Sequence, residues 1–191
     1  MNLKIYSEAF SPTFVVLAVL ALLTFFPPFP LGGLDRISAF IIGLFFLVLL
    51  PFASVFLEYL LSKTDLDVTS RALRVRYYKL WSLFFAGGAL LFLFEGAYGL
   101  FAFSAAMAEV AAVMHFVNKL KKASLHVATV SAAVVTMLYA YGAGALFLAP
   151  LIPFIAWVRL KLKAHSMAEV VYGFVLGVAL AAATLAATLG S

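Results

Sequence analysis

The chain has 191 residues, 66% of them hydrophobic and 11% charged, with mean hydropathy +1.14 and a formal net charge of +5. Water-soluble domains run nearer about half apolar and a quarter charged, so this composition excludes one and places the chain in lipid. At about 20 residues per crossing, the length holds six or seven spans with no separate extramembrane domain. With no cysteine, disulfides, thiolate nucleophiles and cysteine-held metals are excluded.

Seven apolar runs, bounded by charge or by proline and glycine, predict an all-α, polytopic transmembrane bundle in a single domain. The first covers residues 11–26. Lys4 is the one nearby base, and Pro27-Pro28-Phe29-Pro30 follows in place of a small-residue cleavage site, so it reads as a retained span rather than a signal peptide. The next runs are 37–61 and 80–94, separated by the longest loop, which carries Lys63, Asp65, Asp67, Arg71, Arg74, Arg76 and Lys79. Runs 98–117 and 124–141 flank Lys119, Lys121 and Lys122, and run 144–158 contains Pro150 and Pro153, which kink a helix. The last run, 166–189, carries Gly173-x3-Gly177, a spacing that permits close helix approach. Of the 13 lysines and arginines, all but Arg36 fall on one side of this alternation. Such a bias sets orientation, so the basic loops are expected to be cytoplasmic and the C-terminus outside. In so apolar a chain the positive charge reports head groups, not nucleic acid.

Three polar clusters share that side. In Arg159-x5-His165-x3-Glu169, an imidazole and a carboxylate four apart on one helical face form a pair in which the carboxylate fixes the ring's tautomer. The other ring nitrogen is then free to attack, and the arginine fork suits phosphate oxygens. The plainer alternative is a capping box, Ser166-x-x-Glu169, beside an interfacial anchor at Arg159. In Ala123-Ser124-Leu125-His126, a serine opens a helix whose free N–H groups favour anions, and a histidine stands two residues on as a proton donor. An ordinary N-cap with an interfacial histidine is the alternative there. The third cluster is the acidic and basic stretch from Asp65 to Arg74, by itself a solvated charge run. Elsewhere, His115 reads as an interfacial residue and Glu58 and Glu95 as span-end groups. Glu109, within the fourth run, is an intramembrane carboxylate and so a functional candidate by default.

In their order these clusters resemble the phosphatidic acid phosphatase type 2 superfamily of membrane phosphatases, whose signatures are K-x6-R-P, P-S-G-H and S-R-x5-H-x3-D. The third is matched by Val158-Arg159-x5-His165-x3-Glu169 and the second by Ala123-Ser124-Leu125-His126. The first is eroded, since Lys63 to Arg71 is one residue too long and Val75, not proline, follows Arg74. The likeness covers about residues 62–177. It implies a metal-independent, cofactor-free hydrolase of a lipid or isoprenoid phosphate or diphosphate, acting through a phosphohistidine. In that scheme His165 is the nucleophile, Glu169 orients it in place of aspartate, and His126 protonates the leaving group. Arg159, Ser124 and Arg71 or Arg74 bind the phosphoryl oxygens. Two rivals are a catalytically inactive relative that binds or moves lipids, which the eroded first motif and the Glu169 substitution motivate, and a small transporter, which Glu109 and the prolines and glycines inside spans motivate.

Overall fold

The computed structural model describes residues 3–61 and 71–190, the side chain of Arg71 excepted. Among the described residues the only regular structure is helical. In chain order the α-helices are α1 (Leu3–Ala9), α2 (Pro12–Phe25), α3 (Arg36–Gly43), α4 (Leu50–Leu60), α5 (Arg71–Phe94), α6 (Tyr98–Leu120), α7 (Leu125–Tyr141), α8 (Leu151–Lys161) and α9 (Met167–Leu189). A π-helical turn, Leu44–Leu49, joins α3 to α4, and a 3-10 segment, Gly142–Leu148, follows α7. Among the described residues, five helices are long and apolar enough to cross a membrane: Arg36–Leu60, Ala72–Phe94, Tyr98–Leu120, Leu125–Leu148 and Met167–Leu189. A sixth is α1 with α2, bent by 45°, if that pair counts as one span. This is the build of a multi-pass membrane protein.

Local chemistry sets the boundaries. Asp35 caps α3, its Oδ1 accepting from the backbone N–H groups of Ile37 (2.8 Å) and Ser38 (3.1 Å). Pro12 opens α2, where its missing N–H costs nothing. Gly96, at φ +74°, makes the tight turn between α5 and α6, which pair as a long hairpin. The core runs through α2, α5, α6 and α7, with Leu20, Phe92, Phe103 and Met114 fully buried at its centre.

Two expected segments differ. The third run begins at Arg71, not Leu80, so Arg71, Arg74 and Arg76 stand on the first turns of α5 instead of in a loop. The aromatic pair Tyr77 and Tyr78, both buried, extends the helix's packing face below the apolar window. The run 144–158 is not one helix: Gly142 takes φ +68°, the chain winds as a 3-10 segment, and α8 has only 11 residues. Pro150 and Pro153 lack the N–H groups that a continuous helix needs there.

The broken segment still returns the chain to the side from which α7 left. At one end of the bundle, the Tyr141 hydroxyl donates to the carbonyls of Leu22 and Phe26 (both 2.9 Å), and the Gly33 N–H donates to Glu95 O (2.8 Å). At the other end Arg159 meets Ser7, Lys122 meets Ala164, His115 meets Val75 and Arg76 meets Glu58. The bases of α5, the α6–α7 turn and the α8–α9 turn therefore collect at one end, as their alternation along the chain predicts.

Candidate active site

At the basic end, α7 and α9 approach unusually closely. A Cβ on Gly173 would stand 2.4 Å from Ser124 O, and one on Gly177 would stand 2.2 Å from Ala128 O. Only glycine lets the two backbones meet this way. The contact is tied at its end by the Ser124 N–H, which donates to the Glu169 carbonyl (3.0 Å).

Glu169 sits in the first turn of α9 and does two things at once. The capping box is present: Ser166 Oγ accepts from the Glu169 N–H (3.4 Å), and the Ser166 N–H donates to Glu169 Oε2 (3.2 Å). The same Oε2 accepts from His165 Nδ1 at 2.8 Å. Thus the cap and the imidazole–carboxylate pair are one arrangement rather than alternatives. Its geometric cause differs from that expected, however. His165 precedes the N-cap, so the two side chains meet because the capping carboxylate folds back, not because they share a helical face. Lys122 closes the group, its Nζ donating to Ala164 O (2.7 Å) and lying 3.8 Å from Glu169 Oε2.

The His165 side chain is 4% exposed. Burial pushes its imidazole down from the ordinary 6.5 to about 4; the Glu169 hydrogen bond opposes this, and the Arg159 and Lys122 charges add to it. At neutral pH the ring is uncharged. With Nδ1–H committed to Glu169, Nε2 carries the lone pair.

Arg159, in the last turn of α8, is buried, at 6% exposure, and so is not an interfacial anchor. Its Nη1 donates to Ser7 Oγ at 2.6 Å. Ser7 is itself buried, on α1, and its backbone is also a hydrogen-bond partner of His126. His126 Nε2 has no partner. The helix α1 is pinned over the site by Tyr6 and Phe10, which meet Phe154 of α8 edge-on at 5.7 and 6.1 Å.

A cavity of about 480 Å³ gathers these groups. Its wall includes Arg74, His126, Arg159 and His165, with Glu8 also present. Four of the seven expected site residues, from α5, α7, α8 and the α8–α9 turn, therefore share one chamber. Glu169 reaches it through His165. Ser124 is fully buried and is not part of the wall; its hydroxyl makes no capping hydrogen bond and has no partner, and its N–H donates to Glu169 O. Arg71 opens α5, but its side chain lies outside the described residues, as do Lys63, Asp65 and Asp67. Sequence reasoning missed Ser7, Glu8 and Tyr78. The serine–glutamate pair just before the first apolar run was the available signal.

The other candidates are accounted for by structure. Glu109 Oε2 accepts from the Thr184 hydroxyl (2.6 Å), which ties α6 to α9. Glu58 is held by Tyr77 (2.7 Å) and Arg76 (3.0 Å), which ties α4 to α5. His115 Nδ1 donates to Val75 O (2.7 Å). Compared with family models, with curated proteins and with solved structures, the chain matches none.

Proposed function

We propose that this protein is a membrane-embedded phosphatase that hydrolyses a lipid or isoprenoid phosphate, or diphosphate, through a phosphohistidine. The observation that carries the reading is the shared chamber: two arginines and two histidines around one space, with His165 held by a carboxylate on the ring nitrogen opposite the free one. Arg74 and Arg159 neutralise the phosphoryl oxygens. Neutral His165 attacks phosphorus through Nε2, forming a P–N bond while the P–O bond to the lipid breaks. His126, whose Nδ1–H is held by the Ser7 backbone, acts in its doubly protonated form and hands the Nε2 proton to the departing oxygen, which leaves the ring neutral. A water then attacks phosphorus, His126 takes its proton, and the P–N bond breaks to release inorganic phosphate. Glu169 does not react; it holds the tautomer and stabilises the positive charge that grows on the ring.

A lipid substrate is supported by the rest of the wall, in which Phe14, Leu49 and Phe52 are exposed on the outer face of the bundle beside the polar cluster. A phosphate at the bilayer surface meets the charged end there while its chain stays in hydrocarbon. By loop charge, this end faces the cytoplasm.

Phosphate release from a long-chain alkyl phosphate by the purified protein in detergent tests the reading. Turnover that persists in chelator and vanishes in His165→Ala supports it. Turnover unchanged in that variant removes the proposed nucleophile, and lipid binding without turnover selects the inactive-relative alternative. Substrate flux that survives loss of His165 selects the transporter alternative.

A further inference from the structure

The chamber has two chemically distinct parts. From Arg74 through Tyr78 to Trp81 on α5 its wall changes from cationic to aromatic, and over the same depth α4 contributes Val55, Phe52 and Pro51. Seven residues of helix span about 10 Å, which gives the depth of the apolar arm below the charged groups. The π-helical turn Leu44–Leu49 supplies Val48 and Leu49 to this arm, and widened turns of this kind recur at functional sites. Beyond Trp81 lies a second, small space of about 40 Å³, lined by Leu47, Phe85, Met107 and Val110 near the bundle centre. The two spaces share Pro12, Thr13, Pro51, Trp81 and Leu125. The Trp81 indole is fixed between them, its Nε1 donating to Ser54 Oγ at 3.0 Å while Ser54 Oγ donates to Pro51 O at 2.6 Å.

We infer that Trp81 is the floor of an arm that takes one alkyl or prenyl chain of the phosphate substrate and limits how far that chain runs straight into the protein. This rests on the phosphatase reading for its substrate class. An extended chain advances about 1.2 Å per bond, taking the polypeptide's own extended rise as the yardstick, so about eight bonds separate phosphorus from the indole. Carbons beyond that leave between α2 and α4, past the exposed Phe14 and Leu49, into the bilayer. Up to that depth each methylene is withdrawn from water; past it, no further protein contact is gained.

The test uses n-alkyl phosphates of graded length and a quenching measurement that needs no turnover. In the wild type, kcat/KM is expected to rise by about fourfold per added methylene and to level off at about seven carbons, since two of the eight bonds are P–O and O–C. In Trp81→Ala the second space joins the arm and the break moves to longer chains; Trp81→Leu and Ser54→Ala, which loosen the floor less, move it part of the way. The chain has two tryptophans, so Trp157→Phe leaves Trp81 as the sole reporter. Alkyl phosphates brominated at successive carbons are expected to quench it most strongly at about the seventh carbon, saturably and in competition with unlabelled alkyl phosphate. Turnover with no length break, or with a break that Trp81→Ala leaves in place, overturns the inference and leaves the phosphatase reading standing. Position-dependent quenching without any turnover keeps the arm and removes the phosphatase. Uniform quenching at all carbons removes the arm.

Discussion

Replacing Gly173 or Gly177 with alanine tests whether the α7–α9 contact positions the site. In Gly173→Ala the new Cβ would stand 2.4 Å from Ser124 O, and in Gly177→Ala 2.2 Å from Ala128 O, both of them backbone atoms that cannot rotate away. Restoring ordinary contact requires the helices to part by about 1 Å in a close-packed interior. Overpacking of this size costs about 1–3 kcal/mol. The shift also stretches the 3.0 Å hydrogen bond from the Ser124 N–H to Glu169 O, which sits beside the Glu169–His165 pair. A displacement of about 1 Å at a reacting group costs about 10²-fold in rate. Gly173→Ala, one turn from Glu169, is therefore expected to lose about 10²-fold in turnover and to unfold at lower temperature. Gly177→Ala, two turns away, is expected to lose comparable stability but less activity. Gly144→Ala, where nothing lies within 4 Å, serves as the reference. The assay pairs phosphate release with thermal unfolding in detergent. Wild-type turnover together with wild-type unfolding in Gly173→Ala would refute the claim that this contact sets the geometry.

Other consequences are as direct. Glu169→Gln keeps the shape of the cap but removes the charge facing His165 Nδ1; losing about 1.5–3 kcal/mol of charge-assisted bonding is expected to lower turnover about 10- to 100-fold. Ser7→Ala removes the hydroxyl that accepts from Arg159 Nη1; KM is expected to rise more than kcat falls, and equal losses in both would instead place Ser7 in the chemical step. Because the native His165 titrates near 4 and an unfolded histidine near 6.5, the unfolded chain takes up a proton in that window that the native chain does not. Stability should therefore fall as pH drops from 6.5 toward 4, and His165→Asn should flatten that slope in detergent-phase unfolding. For the same reason the acid limb of kcat/KM should lack a His165 midpoint near 6.5.

The spans were legible in the sequence because lipid-exposed helices need long apolar runs; four of the seven expected runs stand as single long helices with only small changes at their ends, and 80–94 needed only lengthening to Arg71. The segment 144–158 failed because hydropathy counts Pro150 and Pro153 as mild interruptions, whereas the backbone loses donors at both. The alternation of basic residues was readable as well, and it remained right although one return leg is broken, since what matters is the side on which each turn emerges. Within the site, the spacing of Arg159, His165 and Glu169 pointed to the correct neighbours through the wrong geometry, helical face in place of cap. Ser124 stands at the N-cap of α7, as a serine at a helix start signals, but its hydroxyl makes no cap hydrogen bond there. The apolar arm and the role of α1 were invisible. In a chain this uniformly hydrophobic, a pocket-facing Val48 or Trp81 looks the same as a lipid-facing one, and Ser7 and Glu8 carry meaning only once α1 folds over α8.

If His126, His165, Arg74 and Arg159 form one phosphoryl-transfer pocket, a phosphate analogue is held among all four. A vanadate-bound structure tests it most directly. Vanadium is expected in bonding contact with His165 Nε2, its oxygens facing both guanidinium groups, and His126 Nε2 within hydrogen-bond reach of the apical oxygen opposite. Vanadate bound away from His165, or a pocket that stays empty at vanadate concentrations that saturate inhibition, would contradict it.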